Sequence, residues 1–358
     1  MVSITVTFIS FTEYINVFGS LVKMSVIAFA LSVVFALMIY ATPTQFHYGY
    51  VVFFPAFTIA VVANNEILVI PQGLPILVWA SYGTIWMMRS AEVAAKTVPH
   101  QVNSLRRFIC YFSNVQIVDF DSRVTYFYVK EILRDILLSG FIMSILKLLT
   151  NNDGTLVLSL SASTPSLLNL LLNNLLCAIM TQEVLTFLGS IWRLALAPTI
   201  CTKPMMKHPL FLSQGIREFW GRRWNLLVHD SLKRSVHKPL KGVVSIKSSY
   251  LAVFAASAAL HEYYFYLILM NNEKATYVPG KVSIFFLWNG ILCALEPHVI
   301  SIYKRTKLPP IPREFVTAIT VLSALPLGGL FTDDWREGGI FNDVVVLAPT
   351  IHVDAGGH

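Results

Sequence analysis

Residues Tyr250 to Met270 read YLAVFAASAALHEYYFYLILM. The stretch is long and apolar enough to cross a bilayer, which takes about 20 mainly apolar residues. It nevertheless carries His261 and Glu262 near its middle, where polarity and charge are costly. With Tyr250 at one membrane edge, His261 lies about 16 Å deep at about 1.5 Å of rise per residue. Small residues one turn earlier, Ser257 and Ala258, let a neighbouring helix or a ligand come close. An intramembrane ionisable residue is a candidate functional group; the alternative is that His261 only bonds a neighbouring helix and stabilises a bundle. Glu262 projects about 100° away around the helix, which suits a structural partner. Tyr263, Tyr264 and Tyr266 read as wall residues.

Working outward, apolar stretches recur at Met24 to Tyr40, Tyr48 to Val62, Gly73 to Met88, Ile132 to Leu149, within Leu167 to Ala197, at Val282 to Ile300 and at Phe315 to Leu330. With Tyr250 to Met270 these make eight. The expectation is an all-α polytopic membrane protein with about eight transmembrane helices plus interfacial amphipathic helices, in one membrane-embedded domain over residues 1–358. Composition agrees: 55% of residues are hydrophobic and 13% charged, where soluble domains carry about a quarter charged. The stretch Leu167 to Ala197 is too long for a straight crossing and predicts a tilt or a break near Gly189. Asn169 and Asn173 share one of its faces, and Glu183 lies deep within it. Asn64-Asn65-Glu66 separates the second and third spans, and Asn151-Asn152-Asp153-Gly154 reads as a turn.

The net charge of +7 belongs to loops. Between Lys203 and Lys247 ten Lys or Arg face two acids, Glu218 and Asp230. This is a topology signal, and it argues against a nucleic-acid partner. The basic loops 89–130, 203–247 and 301–313 fall on one side of the eight-span count, which makes them cytosolic. The tail from Phe331 onward, with five acids against Arg336, falls on the opposite, lumenal side. In the 89–130 loop, Phe108, Tyr111 and Phe112 alternate with cations as in a segment lying at the headgroups. Four scattered cysteines offer no zinc or disulfide spacing, so neither metal nor redox chemistry is expected. No basic region precedes the first apolar run, so a cleaved signal peptide is not expected, and the last residues match no retrieval or prenylation signal.

Within the most basic loop stands Phe219-Trp220-Gly221-Arg222-Arg223-Trp224-Asn225. Apolar residues recur there every fourth position: Leu212, Ile216, Trp220, Trp224, Val228, Leu232 and Val236. That stripe predicts one amphipathic helix in the interface plane. Its arginines have two readings, attachment to acidic lipid or contact of Arg222 and Arg223 with a phosphate-bearing substrate such as coenzyme A. Asn225, with two donors and an acceptor, would then face a reaction centre. A neutral histidine suits proton abstraction from an alcohol near pH 7. The resulting nucleophile could attack an acyl thioester while Asn225 stabilises the oxyanion or orients the acceptor. No Ser or Cys is placed by sequence as a nucleophile, and no glycine-rich phosphate loop occurs; direct transfer is the simpler scheme.

The seven-residue stretch, with Leu226 and Pro239 after it, resembles the signature of the wax synthase-like branch of the membrane-bound O-acyltransferase family. His261 followed by Glu262, and Val282 to Glu296 with Phe285, Phe286, Gly290 and Glu296, resemble the family's next two helices. The likeness runs from about Pro204 to Ile300, between N-terminal spans at 24–197 and a C-terminal part at 315–358. It implies a helical fold holding a tunnel in the endoplasmic reticulum membrane. Acyl-CoA would enter from the cytosol as co-substrate, without a further cofactor, and a lipophilic alcohol from the membrane. It carries catalytic roles to His261 and Asn225 and makes Trp220, Arg222, Arg223, Trp224 and Asn289 substrate-binding candidates. Asn289 departs from the family, which often has a second histidine there, so the acceptor here can differ from a long-chain alcohol. Members of this branch make wax esters, steryl esters or triacylglycerol, and related fungal proteins acetylate terpenoids. An acetyl-CoA-dependent acetyltransferase of secondary metabolites is therefore one alternative, and a transporter or non-catalytic scaffold another. Against a transporter, the sequence lacks the paired repeats that such folds use.

Overall fold

A computed structural model describes residues 2–7, 10–64, 73–148, 166–207, 212–306, 309–341 and 350–355. Helix α1 (Phe11–Ala41) opens on a capping box, in which the Ser10 hydroxyl accepts from the Glu13 N–H and the Glu13 carboxylate from the Ser10 N–H. There follow α2 (His47–Ala63), α3 (Leu74–Ala94), α4 (Leu105–Phe112), α5 (Tyr126–Leu148) and α6 (Ser166–Leu196). The basic segment folds as α7 (Ile216–Arg222), α8 (Leu226–Leu232), a π-helical turn at Lys233–His237 and a single turn, α9 (Lys238–Leu240). After these come α10 (Ile246–Leu269), α11 (Lys281–Arg305), α12 (Arg313–Ala324) and α13 (Gly329–Glu337). Short strands β1 (Val2–Thr7) and β4 (Thr350–Ala355) pair antiparallel, as do β2 (Ile117–Asp119) and β3 (Cys201–Lys203).

Helix α3 is the centre of the bundle. Helices α1, α2 and α10 pack on it, and almost every side chain along its length is buried. Its indole nitrogens find partners on the neighbours: Trp86 Nε1 donates to Ser32 Oγ at 2.6 Å, and Trp79 Nε1 to the Thr58 carbonyl at 3.4 Å. Gly83 lets three helices close up, because a Cβ there would sit 2.8 Å from Thr58 Cγ2 of α2 and overlap the Tyr263 hydroxyl of α10. Total enclosure makes the charges of α3 tolerable only as a network. Arg89 Nη1 lies 3.1 Å from Glu92 Oε1, Arg234 Nε donates to Glu92 Oε2 at 2.8 Å, and the Tyr111 hydroxyl also donates to Glu92. The Arg89 guanidinium stands 3.9 Å over the Tyr111 ring. Arg89 is thus an interior residue, only 1% exposed, not a cation of the 89–130 loop. Phe108, Tyr111 and Phe112 of α4 are likewise buried in the protein, not laid against headgroups.

Among the described residues, five helical stretches are long and apolar enough to cross a membrane: Ile15–Ala41, Thr44–Ala63, Leu167–Leu196, Ile246–Leu269 and Lys281–Arg305. Helices α12 and α13, bent by 59° at their junction, make a sixth if taken together. These make the chain a multi-pass integral membrane protein; among the described residues the expected eight are not reached. The other two expected spans are helical but more polar. Helix α3 ends in Arg89 and Glu92, and α5 begins with Lys130, Glu131, Arg134 and Asp135. Those α5 acids meet the buried Arg193 of α6, at 3.4 Å from Glu131 and 3.5 Å from Asp135. Helix α6 continues without a break through Gly189. Its missing side chain admits Met205, whose Cε would lie 2.9 Å from a Cβ. Asn65, Glu66 and the Asn151-Asn152-Asp153-Gly154 turn lie outside the described residues.

The single amphipathic helix expected over 212–236 is not formed. It stops at Arg222 and restarts at Leu226. The apolar period runs on through the break because Trp224 within it and Leu232 beyond it are both buried, so periodicity alone does not register the interruption.

Candidate active site

The break is centred on Asn225, which with Lys96 is the non-glycine residue of positive φ among the described residues (φ 37°, ψ 65°). Asparagine tolerates this left-handed region because its short side chain bonds the local backbone. Here Oδ1 accepts from the Val228 N–H at 3.3 Å and caps α8. The flanking backbone is pinned: the Leu226 N–H donates to the Met205 carbonyl at 2.7 Å, and the Lys207 N–H to the Arg223 carbonyl at 2.8 Å. With Oδ1 committed to the cap, the amide orientation is fixed. Its Nδ2 makes no hydrogen bond among the described residues.

His261 stands two-thirds of the way along α10. Its Nδ1 lies 2.7 Å from the Ser257 carbonyl one turn earlier. A carbonyl only accepts, so Nδ1 carries the proton and Nε2 keeps a free lone pair. The ring is stacked on Phe286, with centroids 4.1 Å apart and planes at 28°, and meets Phe331 edge-on at 5.7 Å. A neutral imidazole in the base-competent tautomer is thereby held in one orientation. Glu262 is turned elsewhere: it accepts from the Ser283 N–H at 2.8 Å and from the Tyr277 hydroxyl, closing the first turn of α11. Tyr263 bonds Thr58, and Tyr264 stacks on Trp335.

Two cavities meet at these residues. One, of about 270 Å³, lies among α7, α8, the π turn, α10 and α11; the other, of about 220 Å³, lies chiefly among α1, α3, α6 and α10. Trp224, Asn225, Val228 and His261 belong to the walls of both. Their electrostatics differ. Among the described residues, the first wall carries Arg217, His229, Lys233 and His237 and no carboxylate, whereas the second carries no lysine, arginine or carboxylate. Arg217 is held by donation from Nε to the Cys293 carbonyl at 2.8 Å and by its position 4.4 Å over the Tyr250 ring. His237 stacks on the same tyrosine and bonds Ser249 Oγ at 2.7 Å. Burial pushes the His229 pKa below its ordinary value, so that ring is neutral near pH 7.

Not every residue expected at the site is part of these walls. Trp220 lines the first cavity and Trp224 both. Arg222 is exposed and lines neither. Arg223 also lines neither; its Nη2 pairs with Glu218 Oε1 at 2.8 Å. Asn289 is fully buried behind the wall, accepting from Trp220 Nε1 at 3.0 Å and donating to the Phe285 carbonyl at 2.9 Å. It orients the indole and lines neither cavity. The sequence reading missed Arg217, Lys233, His229 and His237 as cavity residues. Arg217 stands one turn before Gly221, on the face opposite to where Arg222 emerges, a distinction that depends on where α7 ends. Among the described residues no cluster of His, Cys, Asp or Glu is placed to hold a metal ion.

Residues 115–277 match the model of the membrane-bound O-acyltransferase family, a segment that includes both Asn225 and His261. Among curated proteins, the probable long-chain-alcohol O-fatty-acyltransferase 2 of Arabidopsis thaliana is 32% identical over 175 residues, 46% of this chain and 47% of that protein. The probable long-chain-alcohol O-fatty-acyltransferase 1 of the same plant is 30% identical over 159 residues, covering 42% and 43%. The long-chain-alcohol O-fatty-acyltransferase of Simmondsia chinensis is 28% identical over 135 residues, covering 35% and 36%. The chain thus spans about half the length, or less, of the curated relatives it matches. Over that span the resemblance to the wax synthase-like branch holds.

Proposed function

We propose, on the premise that this chain carries a membrane-bound O-acyltransferase region of the wax synthase-like branch, that it moves an acyl group from acyl-CoA to the hydroxyl of a lipophilic alcohol. The observation that carries the reading is the shared wall: a histidine with a free Nε2 and an asparagine with a free Nδ2 stand between a cationic cavity and an uncharged one. The cationic cavity suits the phosphates of a CoA thioester, with Arg217 and Lys233 as the counter-charges. The uncharged cavity suits the alcohol.

In this scheme Nε2 of His261 takes the hydroxyl proton as the alcohol oxygen bonds to the thioester carbonyl carbon. The carbonyl oxygen becomes an anion, to which Asn225 Nδ2 donates. Collapse re-forms the carbonyl and breaks the carbon–sulfur bond; the departing CoA thiolate takes the proton from Nε2, leaving ester, free CoA and neutral His261. No acyl-enzyme is needed. The Ser257 carbonyl stabilises the transient imidazolium through Nδ1. In this scheme the basic loop 203–247 lies on the cytosolic side of the endoplasmic reticulum, where CoA is available, and the C-terminal tail is lumenal. The test is whether microsomes containing the chain convert labelled acyl-CoA and a panel of fatty, steroid, glyceride and terpenoid alcohols into labelled ester. Ester formation above that of control microsomes is expected. Hydrolysis of the thioester without ester, or no turnover of any acceptor, would refute the proposal.

A further inference from the structure

Helix α11 carries Pro297 in its interior. A proline has no N–H to give the carbonyl four residues back, and its ring crowds that carbonyl outward. The carbonyl concerned is that of Cys293, a buried residue on the wall of the cationic cavity. A buried carbonyl without a donor is costly. Here the donor comes from another helix: Arg217 Nε, in α7, reaches the Cys293 carbonyl at 2.8 Å. The acceptor that fixes this arginine therefore exists because residue 297 cannot complete the α11 ladder.

The residue beside the proline holds the same arginine by its backbone. Glu296 Oε2 accepts from the Arg217 N–H at 2.9 Å, in the first turn of α7, where unpaired N–H groups favour a carboxylate. Gly215 gives that carboxylate room, since a Cβ there would overlap Glu296 Oε1. The Tyr250 ring, 4.4 Å from the guanidinium carbon, limits the remaining freedom. Arg217 is thus fixed at its N–H and at Nε, while Nη1 and Nη2 make no hydrogen bond among the described residues. Those two amino groups form the fork that meets two oxygens of a phosphate. A lysine has a single nitrogen and cannot hold the carbonyl and present such a fork at once.

We infer that Pro297 is a positioning residue for donor binding: by denying the Cys293 carbonyl its helical partner, it supplies the acceptor that aims the Arg217 fork at the phosphate oxygens of the donor. The inference rests on the acyl-CoA reading for the identity of that anion. Pro297→Ala returns an N–H to the Cys293 carbonyl and releases Arg217 Nε. The probe is free CoA, and binding is read as the concentration that half-saturates the rise in thermal midpoint of the detergent-solubilised protein. That concentration rises about three- to tenfold in Pro297→Ala and in Arg217→Ala, the scale of one weakened charge-assisted contact. In the Arg217→Ala background Pro297→Ala adds nothing further, because both changes remove one interaction. Arg217→Lys, which leaves α11 untouched, behaves like Arg217→Ala. Pro55→Ala removes the proline inside α2, off both cavity walls, and leaves CoA binding at the wild-type level. Without ligand the midpoint of Pro297→Ala is unchanged or raised, since alanine is the better helix former. In turnover Pro297→Ala raises the KM for acyl-CoA with a smaller change in kcat. Unchanged CoA binding by Pro297→Ala would overturn the inference, as would a full additional loss in the double variant or wild-type binding by Arg217→Lys. CoA binding that depends on Arg217 and Pro297, without ester from any acceptor, would sink the transfer reading alone. No CoA binding by the wild-type protein would sink both.

Discussion

Asn225 is asked to do two things, and a series of substitutions separates them. It occupies a left-handed backbone position and caps α8 through Oδ1; it is also proposed to donate from Nδ2 to the oxyanion. Asn225→Ala removes everything. Losing the cap costs about 1 kcal/mol and forcing alanine into the left-handed region about 1–2 kcal/mol, so about 2–3 kcal/mol of stability goes with the amide. Asn225→Gly restores the backbone freedom and costs only about a few tenths of a kcal/mol at the cap. Asn225→Asp keeps both the cap acceptor and tolerance of the left-handed region, yet carries no N–H. If the amide acts on the oxyanion, all three variants lose about 10²- to 10³-fold in ester formed per molecule, while only the alanine variant loses thermal stability appreciably. The assay is labelled ester per unit of immunoblotted protein in membranes, beside a thermal aggregation midpoint. Aspartate or glycine variants within about threefold of wild type, with alanine alone inactive, would reduce Asn225 to a turn-forming residue.

Arg217→Ala, on the cationic wall, raises the KM for acyl-CoA by several-fold with a smaller change in kcat, and Arg222→Ala, which is exposed and off the wall, does so less; the opposite order in donor-saturation curves would count against the cavity assignment. Glu92→Gln weakens the buried network among Arg89, Tyr111 and Arg234, and loss of a buried pair costs about 3–5 kcal/mol, read as a lowered midpoint in detergent. An unchanged midpoint would deny the network a structural role. His229 has its pKa lowered by burial. Below the ordinary histidine value of about 6.5 the unfolded chain therefore takes up a proton that the folded chain resists, and stability falls as pH drops through that window. His229→Gln flattens that part of the stability profile; an identical profile would show that the ring does not contribute.

The helical membrane fold was legible because long apolar stretches admit few other structures, and His261 because a histidine deep in such a stretch is expensive. The span count was less legible. Helix α3 tolerates Glu92 because Tyr111 of α4 and Arg234, far along the chain, join Arg89 in reaching it. The acids of α5 are likewise met by Arg193 of α6. Tertiary partners of that kind leave no local mark. The expected 212–236 helix failed for a related reason: its four-residue apolar period continues past Asn225, while the break depends on the Met205 carbonyl and the Val228 N–H. Once the helix is broken there, Arg217 and Lys233 line the cavity and Arg222 and Arg223 do not, so the cationic wall could not be read from charge pattern alone. Asn289 was visible as a departure from a family pattern, but its contact with Trp220 required the structure.

The central claim is that His261, protonated at Nδ1 by its bond to the Ser257 carbonyl, removes the acceptor proton at Nε2. Its most direct test is the single-turnover rate of ester formation by His261→Ala at wild-type abundance, with saturating donor and acceptor. The account predicts a fall of at least about 10²- to 10⁴-fold. A rate near that of wild type would remove His261 from the chemistry.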